Sequence, residues 1–198
     1  MGLPLKNLSM PDFVAWENAQ PTRNEFYRGE VFAMVGPRRV NGEVVVNVLT
    51  ALKHHLKGSP CRVYSESMKL QVADDALFYP DVFVTCDAQD LRTDRIFRAP
   101  TLVLEVLSPT TAGFDRGLKF ATYRRIPSLQ EYLLIDPMER SVELFRRNAQ
   151  GLFELHDMTA ATHLVLASVG LEMPIADVFE GVEPGDTLDE TPDDIPRP

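Results

Sequence analysis

Two almost unbroken apolar runs constrain the fold of this chain more than any other feature. They are Val82-Phe83-Val84 and Leu102-Val103-Leu104. Strands that read as continuous apolar runs are typical of a sheet centre that is covered on both faces. We therefore predict two central strands, Phe78–Thr85 and Thr101–Leu107, in one mixed β-sheet.

Helical periodicity indicates what covers this sheet. From Asn41 to Lys57 apolar residues recur three and four apart, and Phe114–Arg125 is amphipathic, with Leu118, Ala121 and Tyr123 near its buried side. Asp87–Pro100 is charged and predicted to be a loop. The remaining predicted elements are a helix from Ser9 to near Pro21, strands Glu25–Tyr27, Glu30–Val35, Cys61–Tyr64, Met68–Val72, Glu131–Ile135, Val142–Arg146, Leu152–His156 and Leu164–Leu166, and a short helix Pro174–Phe179. This pattern predicts one α/β domain.

Charge separates a domain from a tail. The net charge is −9, and the segment from Glu180 to Pro198 carries seven acids and one arginine, which leaves −3 for the rest of the chain. We predict a domain over residues 1–179 and an acidic, disordered tail over residues 180–198. The acidic balance argues against strong non-specific DNA binding but leaves room for a local basic groove.

Cysteine usage and hydropathy bear on the compartment. Cys61 and Cys86 are the only cysteines in 198 residues, and they are expected to be buried free thiols. No stretch approaches the length of a membrane span, and no secretion signal is apparent at the first residues. These features predict a soluble cytoplasmic protein without a membrane partner.

Each central strand carries one acid among apolar residues. Asp81 lies in the first predicted strand, and Glu105 interrupts the second. Either acid alone fits a strand end that faces water or an arginine. Two carboxylates on neighbouring buried strands would repel each other, and a divalent cation would relieve that cost. Mg²⁺ binds one or two protein carboxylates together with phosphate and water, so the pair favours a metal site.

The helix after the second strand offers a lysine. Asp115 and Lys119 are four residues apart and therefore share a helical face. An ordinary surface ion pair is one interpretation. The other is that Lys119 points back over the strand ends, where its ammonium group stabilises charge on a phosphoryl group.

Several blocks, taken together, resemble a known family. They are Glu25–Glu30, Tyr79–Val82, Leu104–Thr111, Asp115–Tyr123 and Glu131–Asp136. In this order the chain is similar, from Met10 to Phe179, to the Uma-type family of putative restriction endonucleases, bacterial proteins of the PD-(D/E)XK nuclease superfamily.

The resemblance implies a fold and a set of roles. It implies a restriction-endonuclease-like core, a central mixed β-sheet flanked by helices, in which Asp81 and Glu105 bind Mg²⁺, with Mn²⁺ as a substitute. The superfamily lysine stands two residues after the second acid, where this chain has Leu107. The Uma-type pattern instead places it on the next helix, at Lys119. Asp115 and Glu30 are supporting candidates, although Glu30 equally fits a surface hairpin.

Three functional hypotheses follow. The first is a Mg²⁺-dependent DNA endonuclease with Asp81, Glu105 and Lys119 as catalytic residues, acting as a homodimer whose interface includes exposed Phe145 or Phe153. The second is an inactive nuclease fold that serves as an interaction or nucleic-acid-binding module. It is motivated by Asn41 and Ser67, where relatives often have histidine and aspartate. The third is a phosphoesterase acting on small substrates.

Overall fold

The structure is a computed structural model, and it describes residues 8–34, 36 and 38–183. In this part of the chain the strands, numbered β1 to β13, are Asn24–Tyr27, Glu30–Ala33, Arg62–Ser65, Lys69–Val72, Ala76–Phe78, Val82–Thr85, Ile96–Phe97, Pro100–Val106, Glu131–Asp136, Ser141–Arg147, Phe153–Asp157, His163–Leu166 and Leu171–Pro174. The helices α1 to α5 are Met10–Glu17, Arg39–His55, Ala112–Phe114, Phe120–Tyr123 and Ile175–Val178. A π-helical segment, Asp115–Lys119, joins α3 to α4, and a 3₁₀ turn covers Asp90–Arg92.

The strands form two mixed sheets and a separate hairpin. The larger sheet has the order β11-β10-β9-β8-β6-β3, in which only β8 and β9 are parallel. The smaller sheet has the order β2-β1-β5-β4-β7, in which only β4 and β7 are parallel. Strands β12 and β13 pair with each other. The α/β class with mixed sheets and flanking helices is confirmed, but the strands are divided between sheets.

Two apolar layers cover the larger sheet. On one face α2 buries Val44, Val48 and Leu52 completely, as its four-residue spacing predicts. Burial of such a side chain contributes about 1.5–3 kcal/mol each. On the other face Tyr123 and Tyr132 belong to a second buried cluster that reaches the smaller sheet. The central strands are therefore covered on both sides, which explains their unbroken apolar runs.

The predicted strand Phe78–Thr85 is wrong as a continuous element. Strand β5 ends at Phe78 in the smaller sheet, and β6 begins at Val82 in the larger one. Pro80 has no N–H to donate to a ladder, which disfavours a continuous central strand here. The segment Tyr79-Pro80-Asp81 instead carries the chain from one sheet to the other.

The helix predicted over Phe114–Arg125 is present but contains the π segment. Tyr123 is fully buried as predicted, whereas Ala121 is exposed, which corrects its predicted place on the buried side. A π segment has hydrogen bonds from residue i to i+5 and therefore more residues per turn than an α-helix. A period of 3.6 counted across it misplaces the residues that follow.

Two short strands were not predicted. Strand β7 lies inside the segment Asp87–Pro100 that was expected to be a loop, and β13 precedes the predicted closing helix. Strand β7 is only two residues long, too short for a pattern. In β13, Leu171 and Met173 are buried while Glu172 is exposed, and this alternation in the sequence is typical of a strand.

Cys61 and Cys86 are joined in a disulfide, so the prediction of two free thiols is wrong. In the ladder between β3 and β6, Arg62 pairs with Thr85. The next position in the antiparallel register places Cys61 opposite Cys86, with their Cα atoms 4.0 Å apart. Cysteine usage therefore no longer favours a reducing compartment.

Reduction of this disulfide is expected to destabilise the fold. The bond closes a loop with a sequence separation of 25. Opening it raises the conformational entropy of the unfolded chain, which lowers the free energy of unfolding by about 3.5 kcal/mol. Urea unfolding with and without reductant measures this, with Cys61→Ser/Cys86→Ser as the control that should not respond. An unchanged midpoint on reduction of the wild type would contradict the expectation.

Phe145 and Phe153 are not the exposed residues that the dimer hypothesis assumed. Both are only partly exposed and pack against Phe120, with ring centroids 4.4 and 5.6 Å away. The large apolar side chains exposed near them are those of Leu152 and Leu155, at 65% and 55%.

At its carboxyl end the described chain packs closely. Val182 is buried, and its carbonyl accepts a hydrogen bond from Arg140 at 3.0 Å. The disorder predicted for residues 184–198 lies outside the described residues. None of the helices in the described ranges is long and apolar enough to span a membrane.

Candidate functional site

The register of two central strands brings Asp81 and Glu105 together. Strands β6 and β8 are antiparallel, with Val82 opposite Leu104, so the next position places the two acids opposite each other. The N–H of Val106 donates to Asp81 Oδ2 at 2.6 Å, and the N–H of Asp81 lies 3.4 Å from Glu105 Oε2. Asp81 is partly exposed, while Glu105 is only 2% exposed.

Lys119 reaches this pair from the π segment. Its Nζ lies 3.3 Å from Glu105 Oε1 and 3.4 Å from Asp115 Oδ1, four residues earlier on the same helix. The side chain is 9% exposed, so this is a buried ion-pair network rather than a surface one. Single π turns inside helices are frequent at functional sites.

A carboxylate that sequence reasoning missed completes the contacts of Lys119. Glu25 Oε1 lies 3.0 Å from Lys119 Nζ and also accepts the N–H of Tyr79 at 3.1 Å. Glu30, the hairpin acid proposed from the sequence, is exposed at the position opposite Tyr27. The available signal was alternation in β1, because Phe26 packs toward α1 and Glu25 therefore points to the opposite, buried face.

Aromatic residues surround the acids and the lysine and hold them in place. The Tyr123 hydroxyl donates to Glu105 Oε1 at 3.1 Å, and the Tyr132 hydroxyl donates to the Asp115 carbonyl at 3.0 Å. The Phe78 and Phe114 rings lie with their centroids 5.7 and 5.8 Å from Lys119 Nζ. The resulting Lys119 cluster consists of Lys119 with Glu25, Asp81, Glu105 and Asp115.

The Lys119 cluster holds four acids and one lysine, and burial together with these neighbouring charges shifts its pKa values. Burial raises the pKa of Asp81 to about 6, against the opposing pull of the Val106 N–H and Lys119. Burial likewise raises the pKa of Glu105 well above its ordinary value. Burial lowers the pKa of Lys119, but the carboxylates of Glu105, Glu25 and Asp115 together outweigh it, so the net pKa is raised. Four acids surround one ammonium group that stays protonated.

These pKa values predict a pH dependence for the metal-free protein. Because Asp81 titrates near 6 when folded and near 3.8 ordinarily, the folded state binds more protons between those values. The stability that protonated Asp81 contributes to the folded state is therefore lost as pH rises from about 4 to above 6. The stability of Asp81→Asn relative to wild type should increase between pH 5 and pH 7.5 in urea unfolding with chelator. A relative stability that falls over this range would contradict the assignment.

Asp81 and Glu105 offer the donor chemistry of a hard divalent cation. Their oxygens are the ligands that Mg²⁺ prefers, and two carboxylates are enough when water and phosphate supply the rest. Among the described residues no three His, Cys, Asp or Glu side chains are arranged to hold a metal by themselves. The two carboxylates therefore fit a Mg²⁺ site in which water and phosphate would supply the remaining ligands.

Asn41 and Ser67, where the chain departs from the family pattern, are placed very differently. Asn41 is buried at the start of α2 and donates from Nδ2 to the carbonyls of Val106 and Leu107 at 3.2 and 3.0 Å. It therefore braces the strand end that follows Glu105. Ser67 is exposed in the turn before β4.

Comparison with known proteins places the chain in a family. The pattern of the Uma2 family, described as "Putative restriction endonuclease", matches residues 10–176. The Synechocystis protein slr1290, described as uncharacterized, is 32% identical over 180 residues, covering 90% of this chain and 95% of its own. A second Synechocystis protein with that description, sll1609, is 33% identical over 146 residues, covering 72% and 82%.

A solved structure has the same fold. It is described as a putative nuclease belonging to DUF820 from Anabaena variabilis, and it superposes with a TM-score of 0.74 at 19% identity. The match covers 88% of this chain and 98% of the other. With a family pattern that spans most of its length and a relative 32% identical over 90% of it, this chain belongs to the Uma2 family of putative restriction endonucleases.

Proposed function

We propose that this protein is a Mg²⁺-dependent endonuclease that hydrolyses phosphodiester bonds in DNA. The observation that carries the proposal is the Lys119 cluster, in which two acids at adjacent strand ends are held in contact with an excess of buried negative charge. Buried acids without enough counter-charge lower the stability of the protein, so a function at this site would explain why the cluster is present. Membership of a restriction endonuclease family supports this use.

Asp81 and Glu105 are the proposed metal ligands, with Mn²⁺ as a substitute for Mg²⁺. A divalent cation bound there would supply positive charge against the phosphate and acidify an attacking water. The two side chains contribute through their placement. Glu105 Oε1 is occupied by Lys119 and Tyr123, which leaves Oε2 on the side of Asp81. Asp81 is the partly exposed member, so the open side of the site lies at Asp81.

Lys119 is the proposed source of fixed positive charge beside the reacting phosphate. Its Nζ is held by carboxylates on three elements, Glu25 on β1, Glu105 on β8 and Asp115 on its own helix. This arrangement orients the ammonium group before substrate binds. Preorganised charge of this kind stabilises the transition state without a cost of reorganisation. Glu25 and Asp115 are proposed as positioning residues, and Glu30, exposed at the start of β2, remains a supporting candidate.

A cleavage assay tests the proposal. Purified wild-type protein is incubated with supercoiled plasmid, linear duplex and single-stranded DNA in Mg²⁺, in Mn²⁺ and in EDTA. We expect nicking or linearisation that requires the cation. Hydrolysis of a small aryl phosphate or aryl phosphodiester without DNA cleavage would favour the phosphoesterase alternative. DNA retention without any hydrolysis would favour the inactive binding module.

A double-strand cut requires two sites, and one chain of this size supplies one. We therefore propose that the active particle is a homodimer that places two Lys119 clusters on the same DNA. Light scattering at low micromolar concentration should give twice the monomer mass, and a clean monomer would contradict this part of the proposal. The cytoplasmic location expected from the sequence remains a prediction.

A further inference from the structure

Within the described part of the chain, strand β11 is an edge strand whose outer backbone groups pair with no other strand. It lies at the end of the larger sheet, beside β10. Just beyond the two ends of β11, the Asn148 N–H donates to the Leu152 carbonyl and the Met158 N–H donates to the Val142 carbonyl, so both bonds face the β10 side. Backbone groups alternate between the two sides of a strand. The odd-numbered residues Phe153, Leu155 and Asp157 therefore direct theirs away from the sheet.

The same edge exposes apolar surface. The side chains of Leu152 and Leu155 are 65% and 55% exposed, and both are among the exposed large apolar side chains of the described residues. Soluble proteins usually protect a free edge with short length, charge or proline. Strand β3, the other edge of the larger sheet, is four residues long and exposes Arg62, whereas β11 exposes Leu155 beside the charged residues Glu154 and Asp157.

The sequence of β11 is complementary to itself in the antiparallel direction. A two-fold axis through Leu155 pairs Leu155 with its own copy, Glu154 with the His156 of a second copy, and Leu152 with Met158. It also pairs Phe153 with Asp157, so every outward backbone group meets an outward group, as hydrogen-bonded antiparallel pairs require. Glu154 opposite His156 is a favourable cross-strand pair, and like charges do not meet.

We propose that β11 pairs with β11 of a second copy of this chain about a two-fold axis through Leu155, which joins the two larger sheets into one. Such an interface is isologous, since the same strand serves both partners. It buries the exposed Leu155 and satisfies the free edge. It names the surface of the proposed homodimer and therefore rests on that part of the proposed function.

Single cysteines at two exposed leucines test the register. In the proposed pair, the two Cα atoms at position 155 are about 5.5 Å apart, as in any hydrogen-bonded antiparallel pair. That separation suits a disulfide, which spans about 4.4–6.8 Å. Leu152 is the matched control because it is more exposed, yet in this register its two copies are offset by about 20 Å along the strands.

The experiment is mild oxidation of Leu155→Cys and Leu152→Cys followed by non-reducing electrophoresis, with Mg²⁺ binding measured on the same samples. We expect Leu155→Cys to become mainly a covalent dimer and Leu152→Cys to yield at least tenfold less. Equal crosslinking of both variants, or none in Leu155→Cys, would overturn the proposed interface. If one of these two results is found while Mg²⁺ binding persists, the proposed interface is wrong and the proposed metal site is not contradicted.

Discussion

Lys119→Met is expected to lower the free energy of unfolding by about 3–5 kcal/mol at pH 7, the usual cost of leaving buried charge without its partner. The ammonium lies within 3.4 Å of carboxylates from Glu25, Glu105 and Asp115. Methionine fills similar volume but leaves these acids to repel one another. The deficit should shrink as pH falls, because protonated carboxyl groups need no counter-charge.

Urea unfolding of wild type and variant at pH 5 and pH 7.5 measures this effect. Lys57→Met is the control, since Lys57 is exposed just beyond α2 and should change stability by less than about 0.5 kcal/mol. A loss below about 1 kcal/mol for Lys119→Met, or a deficit that grows at pH 5, would contradict the ion-pair account.

Glu105→Gln is expected to abolish cleavage while leaving the fold intact. Loss of one charged ligand should reduce the cleavage rate by at least about 100-fold, as removal of a key electrostatic group commonly does. Glutamine keeps an acceptor for Lys119 Nζ and the Tyr123 hydroxyl. It also removes one of four acids around a single lysine, so stability should stay within about 1 kcal/mol of wild type or rise.

The comparison for this variant is Glu139→Gln, an exposed glutamate in the turn between β9 and β10. Both variants are assayed for plasmid cleavage in Mg²⁺ and for urea unfolding. Full activity in Glu105→Gln would remove Glu105 from the proposed metal site. Loss of activity together with loss of folding would assign Glu105 a structural role instead.

The core of the site could be predicted because its acids break an otherwise regular pattern. Asp81 and Glu105 stand beside apolar runs, and an acid in such a position has a high energetic cost unless it is paired. Adjacent apolar strands were expected to lie side by side, which they do in β6 and β8. The four-residue spacing of Asp115 and Lys119 likewise predicted their contact.

Other parts depended on tertiary register, which local patterns do not contain. Glu25 joins the site from a hairpin about 80 positions before Glu105, and although alternation in β1 gives the face of Glu25, it does not say that this face meets Lys119. The disulfide between Cys61 and Cys86 follows only once β3 is paired with β6. Pro80 indicated a break in the predicted strand, because proline is disfavoured inside a central strand. The apolar residues on both sides of it did not indicate that the chain moves from one sheet to the other there.

Divalent cation binding to the isolated protein is the most direct test of the proposed metal site. Calorimetry with Mn²⁺ and Mg²⁺ is performed on wild type, on Asp81→Asn and on Asp94→Asn, whose aspartate is exposed in the loop before β7. We expect one binding event in wild type and in Asp94→Asn, and no binding in Asp81→Asn. Absence of binding in all three proteins, or unchanged binding in Asp81→Asn, would contradict a metal site at Asp81 and Glu105.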